Sequence, residues 1–496
     1  MESLADKYIS YYLSASKARG DLSERLALFD RYWEGDVNKA ESEHDPASST
    51  NIIHSNVEGQ VANLMEQNIS AMAESIDGDG EHQKSVDAVL NFILKRNRMI
   101  RKIDMHERRR EKYGTGILRV TFNPLALCGA GLPEIECVSN RALYIDPCIS
   151  DPYKINDARF IIEKIKKSKY WAKEQYGSEV AEKIKPNFDP AYDDSESFEG
   201  DGENDWYCHL LVWTREGGHL RLVEMSGCGI ILSDSGEDFY KAGRYPYFFT
   251  PLYFRENSIW GKGDIELLIP VQDLINDLDD QIRINARLTG NPQRLIETGS
   301  GIDLDALTNE AGLNIPVNHI GAVKNLEAPP LPPYIESRRN AALQYECQKV
   351  TRFSDQMMGG RQQGVKTATE AIAITQAGNT GMMHKKLLLQ ETLSEVMEYA
   401  LNLAAEFWTR EMTFRISGEE SIKVNPSHID CKCFDVSVTV GAGLPKNRAM
   451  LYSIISELYR SGLISAEEAR EYICTELSLP FEKKGIEINN LKEETV

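Results

Sequence analysis

The sequence predicts an α+β protein that is mainly helical. Three observations support this class. Apolar residues recur at helical spacing in long segments, above all 261–290, 334–354 and 368–408. Short runs such as GILRVTF, WYCHLLVWT and FDVSVTV have the composition of strands. No apolar run approaches the roughly 18 residues of a membrane-spanning helix, so no membrane segment is expected.

Charge limits the possible functions. The 496-residue chain carries a formal net charge of −20, which argues against a conventional nucleic-acid binder, because such proteins cluster Lys and Arg against phosphates. The one basic concentration, at 95–112, is interrupted by acids and has helical spacing. We interpret it as a solvated helix face rather than a nucleic-acid patch. The N-terminus lacks the basic start and apolar centre of a secretory signal, so a cytoplasmic chain is expected.

The first 260 residues predict a mixed α+β module. An amphipathic helical stretch is expected at 3–33 and a helix from Asn51. Strand candidates then alternate with short helices up to residue 260. We find no catalytic constellation and no metal-ligand spacing in this part, and no cofactor is expected.

A heptad-like seam runs along the helix predicted at 261–290. Spacings of three and four give a continuous apolar stripe that is suited to packing against other helices. Four aspartates, at 273, 277, 279 and 280, lie on its other faces. The stripe has no obvious partner within one chain, so we expect it to pack against other subunits; its residues are Leu268, Val271, Ile275, Leu278 and Ile282.

Residues 291–333 predict a small α/β insertion that ends in the proline-rich APPLPP. A second helix follows at 334–354, with Pro333 placed in its first turn. Two helices therefore bracket a compact insertion.

The stretch MMGGRQQGVKTATEA, at 357–371, nearly matches a phosphate-binding loop. Gly359 and Gly364 have the required spacing, but Val365 separates the second glycine from Lys366 and Thr367. The preceding segment is polar with helical spacing, whereas a phosphate loop follows a buried strand. We therefore expect a glycine-containing loop between two helices. The long helix that follows is expected to kink at its internal glycines, 378 and 381.

The order of these parts resembles the portal proteins of tailed double-stranded DNA bacteriophages. The stretch GKGDIELLIPVQDLINDLDDQI looks like the family's first stem helix, and TATEAIAITQAGNT looks like the start of its long helix after the tunnel loop. The resemblance implies an elongated subunit with wing, stem, clip and crown parts, assembled as a ring, usually a homododecamer. The ring would stand at one capsid vertex and form the channel for viral DNA packaging and ejection.

The resemblance also implies a division of the chain. The parts are an N-terminal wing module at 1–260, a first stem helix at 261–290, a clip at 291–333, a second stem helix at 334–354, a tunnel loop at 355–367, a long kinked helix with the remaining wing strands at 368–445, and crown helices at 446–496. In the loop, the residues expected to meet DNA in the channel are Gln356, Met357, Met358, Gly359, Gly360, Arg361, Gln362, Gln363, Gly364 and Lys366.

The partners that the resemblance implies are other copies of the chain, terminase, a head-tail adaptor, scaffolding and major capsid proteins, and double-stranded DNA that passes without sequence-specific contact. The protein would be a virion component assembled in the host bacterial cytoplasm, and not an enzyme. Two alternatives stay open at this point. One is a nucleotide-dependent DNA motor that uses residues 359–367, and the other is a different head-tail adaptor ring.

Overall fold

In the computed structural model the chain divides into two units, Met1–Thr439 and Val440–Val496. In the second, residues 455–460 form a helix that ends before Gly462. The described residues are 4–37, 50–65, 69–75, 80–191, 205–236, 238–299, 321, 323–327, 330–351, 368–415, 421–424, 429, 434–440, 455–462 and 464–465.

Helices and strands alternate irregularly along the first unit, which is a mixed α+β structure, as predicted. The helices are α1 Leu4–Arg19, α2 Leu22–Glu34, α3 Ile52–Met65, α4 Gly80–Arg96, α5 Met99–Tyr113, α6 Ala126–Gly129, α7 Lys169–Tyr176, α8 Ser178–Lys183, α9 Asp264–Gly290, α10 Pro333–Ala341, α11 Cys347–Thr351 and α12 Ala368–Phe407, with one turn of π-helix at Ala342–Glu346 and a 3₁₀ segment at Pro152–Asp157.

The described strands form five sheets. They are β1 Ile69–Ser75, β2 Thr115–Asn123, β3 Leu132–Cys137, β4 Leu143–Ile145, β5 Phe160–Ser168, β6 Trp206–Glu216, β7 His219–Ser226, β8 Ile231–Asp234, β9 Tyr247–Pro251, β10 Arg294–Ile296, β11 Val323–Asn325, β12 Met412–Arg415, β13 Ser421–Val424 and β14 Phe434–Val440.

The largest sheet is a five-stranded antiparallel meander in the order β4-β5-β6-β7-β8. Helix α1 covers it: Tyr8 and Tyr12 pack against Tyr144, Phe160 and neighbouring aliphatic side chains. The helical opening stretch 3–33 consists of two helices, because the chain turns at Gly20 with φ 43° before α2 begins.

A second sheet, in the order β3-β2-β9, is antiparallel and lies next to α5 and α12. Near the C-terminal end of α12, Phe407 stacks on Phe122 of β2, and Tyr399 contacts Phe248 of β9. Helix α12 runs without a break through Gly378 and Gly381, so these glycines do not interrupt it.

The apolar seam predicted from the sequence lies on helix α9. The first half of this helix is buried against other parts of the same chain. Leu268 packs with α2 and α3, while Val271 and Ile275 pack against Ala342. The expectation that the seam has no partner within one chain is thus wrong for its first four residues. Two of the aspartates are also used internally, since Tyr32 donates to Asp273 at 2.7 Å and Arg339 pairs with Asp279.

The predicted insertion contains an antiparallel pair, β10 with β11, in which Arg294 lies opposite Asn325. Residues 300–320 between them lie outside the described ranges. Helix α10 follows, begins at Pro333 as predicted, and continues through the π-turn into α11.

The end of α5 contacts the start of α9, and this close approach requires glycine at positions 114, 261 and 263. A Cβ at Gly263 would lie 2.6 Å from the carbonyl oxygen of Glu111, and a Cβ at Gly261 would lie 2.4 Å from that of Gly114. Atoms cannot approach so closely, so the two helix ends meet only because these side chains are absent. This contact brings the side chains of Glu111 and Asp264 close together.

Replacing Gly263 with alanine should therefore destabilise the protein by about 1–3 kcal/mol, because the added methyl group forces the two backbones apart. Gly290→Ala is the matched control, since a Cβ there would meet nothing within 4 Å. Urea unfolding of both variants measures the difference. Equal stability of the two variants would show that the close approach imposes no constraint.

Candidate functional site: a buried charge cluster where four helices meet

Four helices each contribute one polar side chain to a buried cluster. Gln60 comes from α3, Glu111 from α5, Asp264 from α9 and Lys385 from α12, and none is more than 3% exposed. Buried charges are uncommon unless they are paired and hydrogen-bonded. The cluster therefore depends on the exact meeting of the four helices.

The ammonium group of Lys385 lies at the centre. Its Nζ is 2.9 and 3.1 Å from the two carboxylate oxygens of Glu111 and 2.7 Å from Oδ2 of Asp264. It also donates to Oε1 of Gln60. An ammonium group has three protons to donate, and here three side chains accept them.

The local electrostatics follow from one cation shared by two acids. Burial raises the pKa of Glu111 to about 8; Asp264 acts in the same direction, while Lys385 opposes it. Burial alone would lower the pKa of Lys385, but Glu111 and Asp264 hold it above its ordinary value. One ammonium cannot balance two buried carboxylates, so Glu111 retains its proton more readily than an exposed glutamate does.

A second buried group extends the cluster along α5. Arg110 donates to the backbone carbonyl of Lys385 at 2.8 Å and lies 3.4 Å from Glu107, which in turn lies 2.8 Å from Nδ1 of His106. Burial alone would raise the pKa of Glu107, but Arg110 and His106 offset this and lower it. The basic segment 95–112 is thus helical from Met99 as predicted. Its face is solvated only in part, because Lys95, Arg98 and Arg101 are exposed while Arg110 and Lys112 are buried.

A line of buried hydrogen bonds leads from the cluster towards the candidate loop. Gln60 donates to Asp264 at 2.9 Å and to Asn56 at 2.7 Å. Asn56 lies 3.4 Å from Oγ1 of Thr351, at the end of α11. Thr351 is the last described residue before the segment 352–367, so the cluster connects α12 to the point where that segment begins.

The contacts of the cluster are suited to holding its helices together. Its carboxyl groups are engaged with cations or amides, and its lysine is fully engaged as a donor. Within the described ranges, no group of three or more His, Cys, Asp or Glu side chains is placed to hold a metal ion. None of the helices in those ranges combines the length and apolar character that a bilayer crossing requires.

Comparison with known proteins identifies the family. The family model described as phage SU10 portal protein matches residues 19–460, which is most of the chain and includes all four helices of the cluster. The chain belongs to this portal protein family. No curated protein matches it. The resemblance to phage portal proteins drawn from the stem and long-helix sequences is confirmed.

The candidate DNA-channel loop of this portal family member, from Gln356 to Lys366, lies outside the described residues, and its role stays a prediction. Its upstream flank is described: residues 333–351 are helical, whereas a phosphate loop would follow a strand. Of the seam, Leu268, Val271, Ile275 and Leu278 are buried, and Ile282 is half-buried.

Sequence reasoning missed the charge cluster, although a signal was present. Glu107 and Glu111 follow Ile103 at helical spacing, so they share the apolar stripe of α5. Lys385 occupies the same kind of position between Met382 and Leu389. Charged residues within apolar stripes of separate helices indicate buried partners, but the sequence does not show which helices meet.

Lys385→Met should destabilise the portal subunit by about 3–5 kcal/mol, because it leaves two buried carboxyl groups without their cation. Lys386→Met is the matched control: it removes the neighbouring lysine of the same helix, which is half-buried and forms no ion pair with a described residue. It should change the free energy of unfolding by no more than about 0.5 kcal/mol. Urea unfolding at pH 7 compares the two. Similar small effects would contradict the role given to Lys385.

Proposed function

We propose that the chain is the subunit of a portal ring at one capsid vertex, where the ring forms the channel for DNA packaging and ejection. The observation that carries this proposal is the family match across residues 19–460. The uncovered outer part of α9 supports it. The proposed role is structural, within the virion, and without enzymatic activity.

The outer part of α9 differs sharply from its base. Beyond Asp279 no residue of α9 is buried, and Ile284 is 44% exposed. Leu295 on β10, Leu326 after β11 and Tyr334 on α10 are exposed as well. Large apolar side chains gathered on one extension of a subunit are typical of a surface that another protein covers. In a ring, the neighbouring subunits would cover it, and twelve is the number that the family resemblance implies.

The parts of the ring are assigned on the same basis. Residues 261–290 and 334–354 form the stem, 291–333 the clip, 1–260 and 368–445 the wing, and 446–496 the crown. The clip would receive terminase during packaging and a head-tail adaptor afterwards. The antiparallel pair β10-β11 supports a compact clip, because it closes the insertion at the ends of the two stem helices.

Residues 355–367 are proposed as the loop that meets DNA inside the channel. Arg361 and Lys366 offer brief contacts to phosphate, and three glycines keep the backbone adaptable. The remaining charge of the ring would be strongly negative, since each copy carries −20. Like charge discourages tight adhesion of DNA, so DNA would slide through the channel.

Closed rings should form when the purified protein is concentrated, and the double variant Ile284→Glu with Leu295→Glu should prevent this, because it places charge on the exposed stem surface. The control is Leu125→Glu with Tyr170→Glu, which changes two residues that are 85% and 62% exposed elsewhere. Electron microscopy and mass measurement give the assembly state, and thermal unfolding confirms that each subunit is folded. Monomers of the unmodified protein at every concentration and salt would contradict the ring.

A further inference from the structure

An open groove of about 500 Å³ lies at the corner where α4 ends and α5 begins. Its apolar lining consists of Ile69 from β1, Leu94 from α4, and Met99 and Ile100 from α5. Ile100 is 67% exposed, so a large aliphatic side chain at this corner is left uncovered by the described chain. A partly apolar groove of this size can hold one or two side chains of another protein.

The rim of the groove is basic. Lys95, Arg98 and Arg101 line it, all three are exposed, and none makes an ion pair with a described residue. Among the described residues, no carboxylate lines the groove. Residues 95–102 contain five cations and no acid, in a chain whose net charge is −20. The rim of the groove is thus positively charged, whereas the protein as a whole is negatively charged.

Arg98 makes the corner itself. Its backbone is left-handed, with φ 51° and ψ 48°, a conformation that favours glycine or asparagine over arginine. Arginine therefore occupies a backbone conformation that is more favourable for glycine or asparagine. This places a positive charge at the turn between the two helices.

We propose that this groove is a docking site for an acidic amphipathic segment of a partner protein. An aliphatic side chain of the segment would enter the apolar floor, and flanking Asp or Glu side chains would pair with Lys95, Arg98 and Arg101. The rim supplies the charge complementarity and the floor supplies apolar burial. This site is separate from the ring contacts of the stem and does not depend on the proposed ring.

Nucleic acid is the other polyanion that a basic rim could attract, and the groove favours protein. Its floor is aliphatic, whereas bases stack on aromatic side chains or arginine planes, and the phosphate backbone gains nothing from an aliphatic floor. The cations are confined to one corner, while a duplex is held by a continuous basic track.

Fluorescence anisotropy with a labelled synthetic peptide tests the proposal. The probe carries leucine at helical spacing among glutamates, and a second probe has glutamine in place of every glutamate. The full-length protein should bind the acidic probe at least tenfold more tightly than the neutral one. Lys95→Glu with Arg98→Glu and Arg101→Glu should weaken binding of the acidic probe at least tenfold, and Ile100→Asp should weaken it as well.

The matched control reverses the same number of charges elsewhere, with Lys17→Glu, Lys173→Glu and Lys183→Glu, all exposed residues on other helices. It should change the affinity less than twofold. Arg98→Gly removes the positive charge without straining the fold, because glycine readily adopts the left-handed backbone conformation. It should weaken binding without lowering the thermal unfolding midpoint.

Three outcomes would overturn the proposal. Equal affinity for the acidic and neutral probes would show that the basic rim does not select the ligand. Tighter binding of a labelled 20-base-pair DNA duplex than of the peptide, lost in the triple variant, would make the groove a nucleic-acid site. Loss of self-assembly in the triple variant, with peptide binding absent throughout, would make it an interface between copies of this chain.

Discussion

The buried ammonium group of Lys385 joins four helices of the first unit. It holds Glu111 at the end of α5 and Asp264 at the start of α9, and Gln60 of α3 completes its set of acceptors. Apolar packing between helices tolerates small shifts, whereas a buried cation with three acceptors does not. The cluster therefore specifies how α12 meets the base of α9.

This anchor holds one end of α9, whereas the other end is more exposed. The base of α9 is packed by α2 and α3 and hydrogen-bonded through Asp264, while none of its residues after Asp279 is buried. In the proposed ring, such a base would transmit force between the wing and the stem. The hydrogen-bonded line through Asn56 to Thr351 brings the start of the candidate loop to the same anchor.

The sequence predicted those helices and strands whose residues show a local pattern of spacing or composition. Helical spacing located α3, α9 and α12, and strand composition located β2, β6 and β14, because these patterns are local. It did not predict that the seam from Leu268 to Leu278 is covered by the same chain, since that depends on where α2 and α3 lie. The same limit applies to Glu111 and Lys385, which are separated by more than 270 residues and are joined only by the fold. The strand β13 has only four residues, too few to show a period.

The most direct test of this account is a double-mutant cycle between α9 and α12. The free energies of unfolding of the unmodified protein, Lys385→Met, Asp264→Asn and the double variant are compared in urea. If Lys385 joins the two helices through Asp264, the double variant should be more stable than the sum of the single changes predicts, by about 1–3 kcal/mol. Effects that add to within about 0.5 kcal/mol would show that the two residues act independently, and would contradict the account.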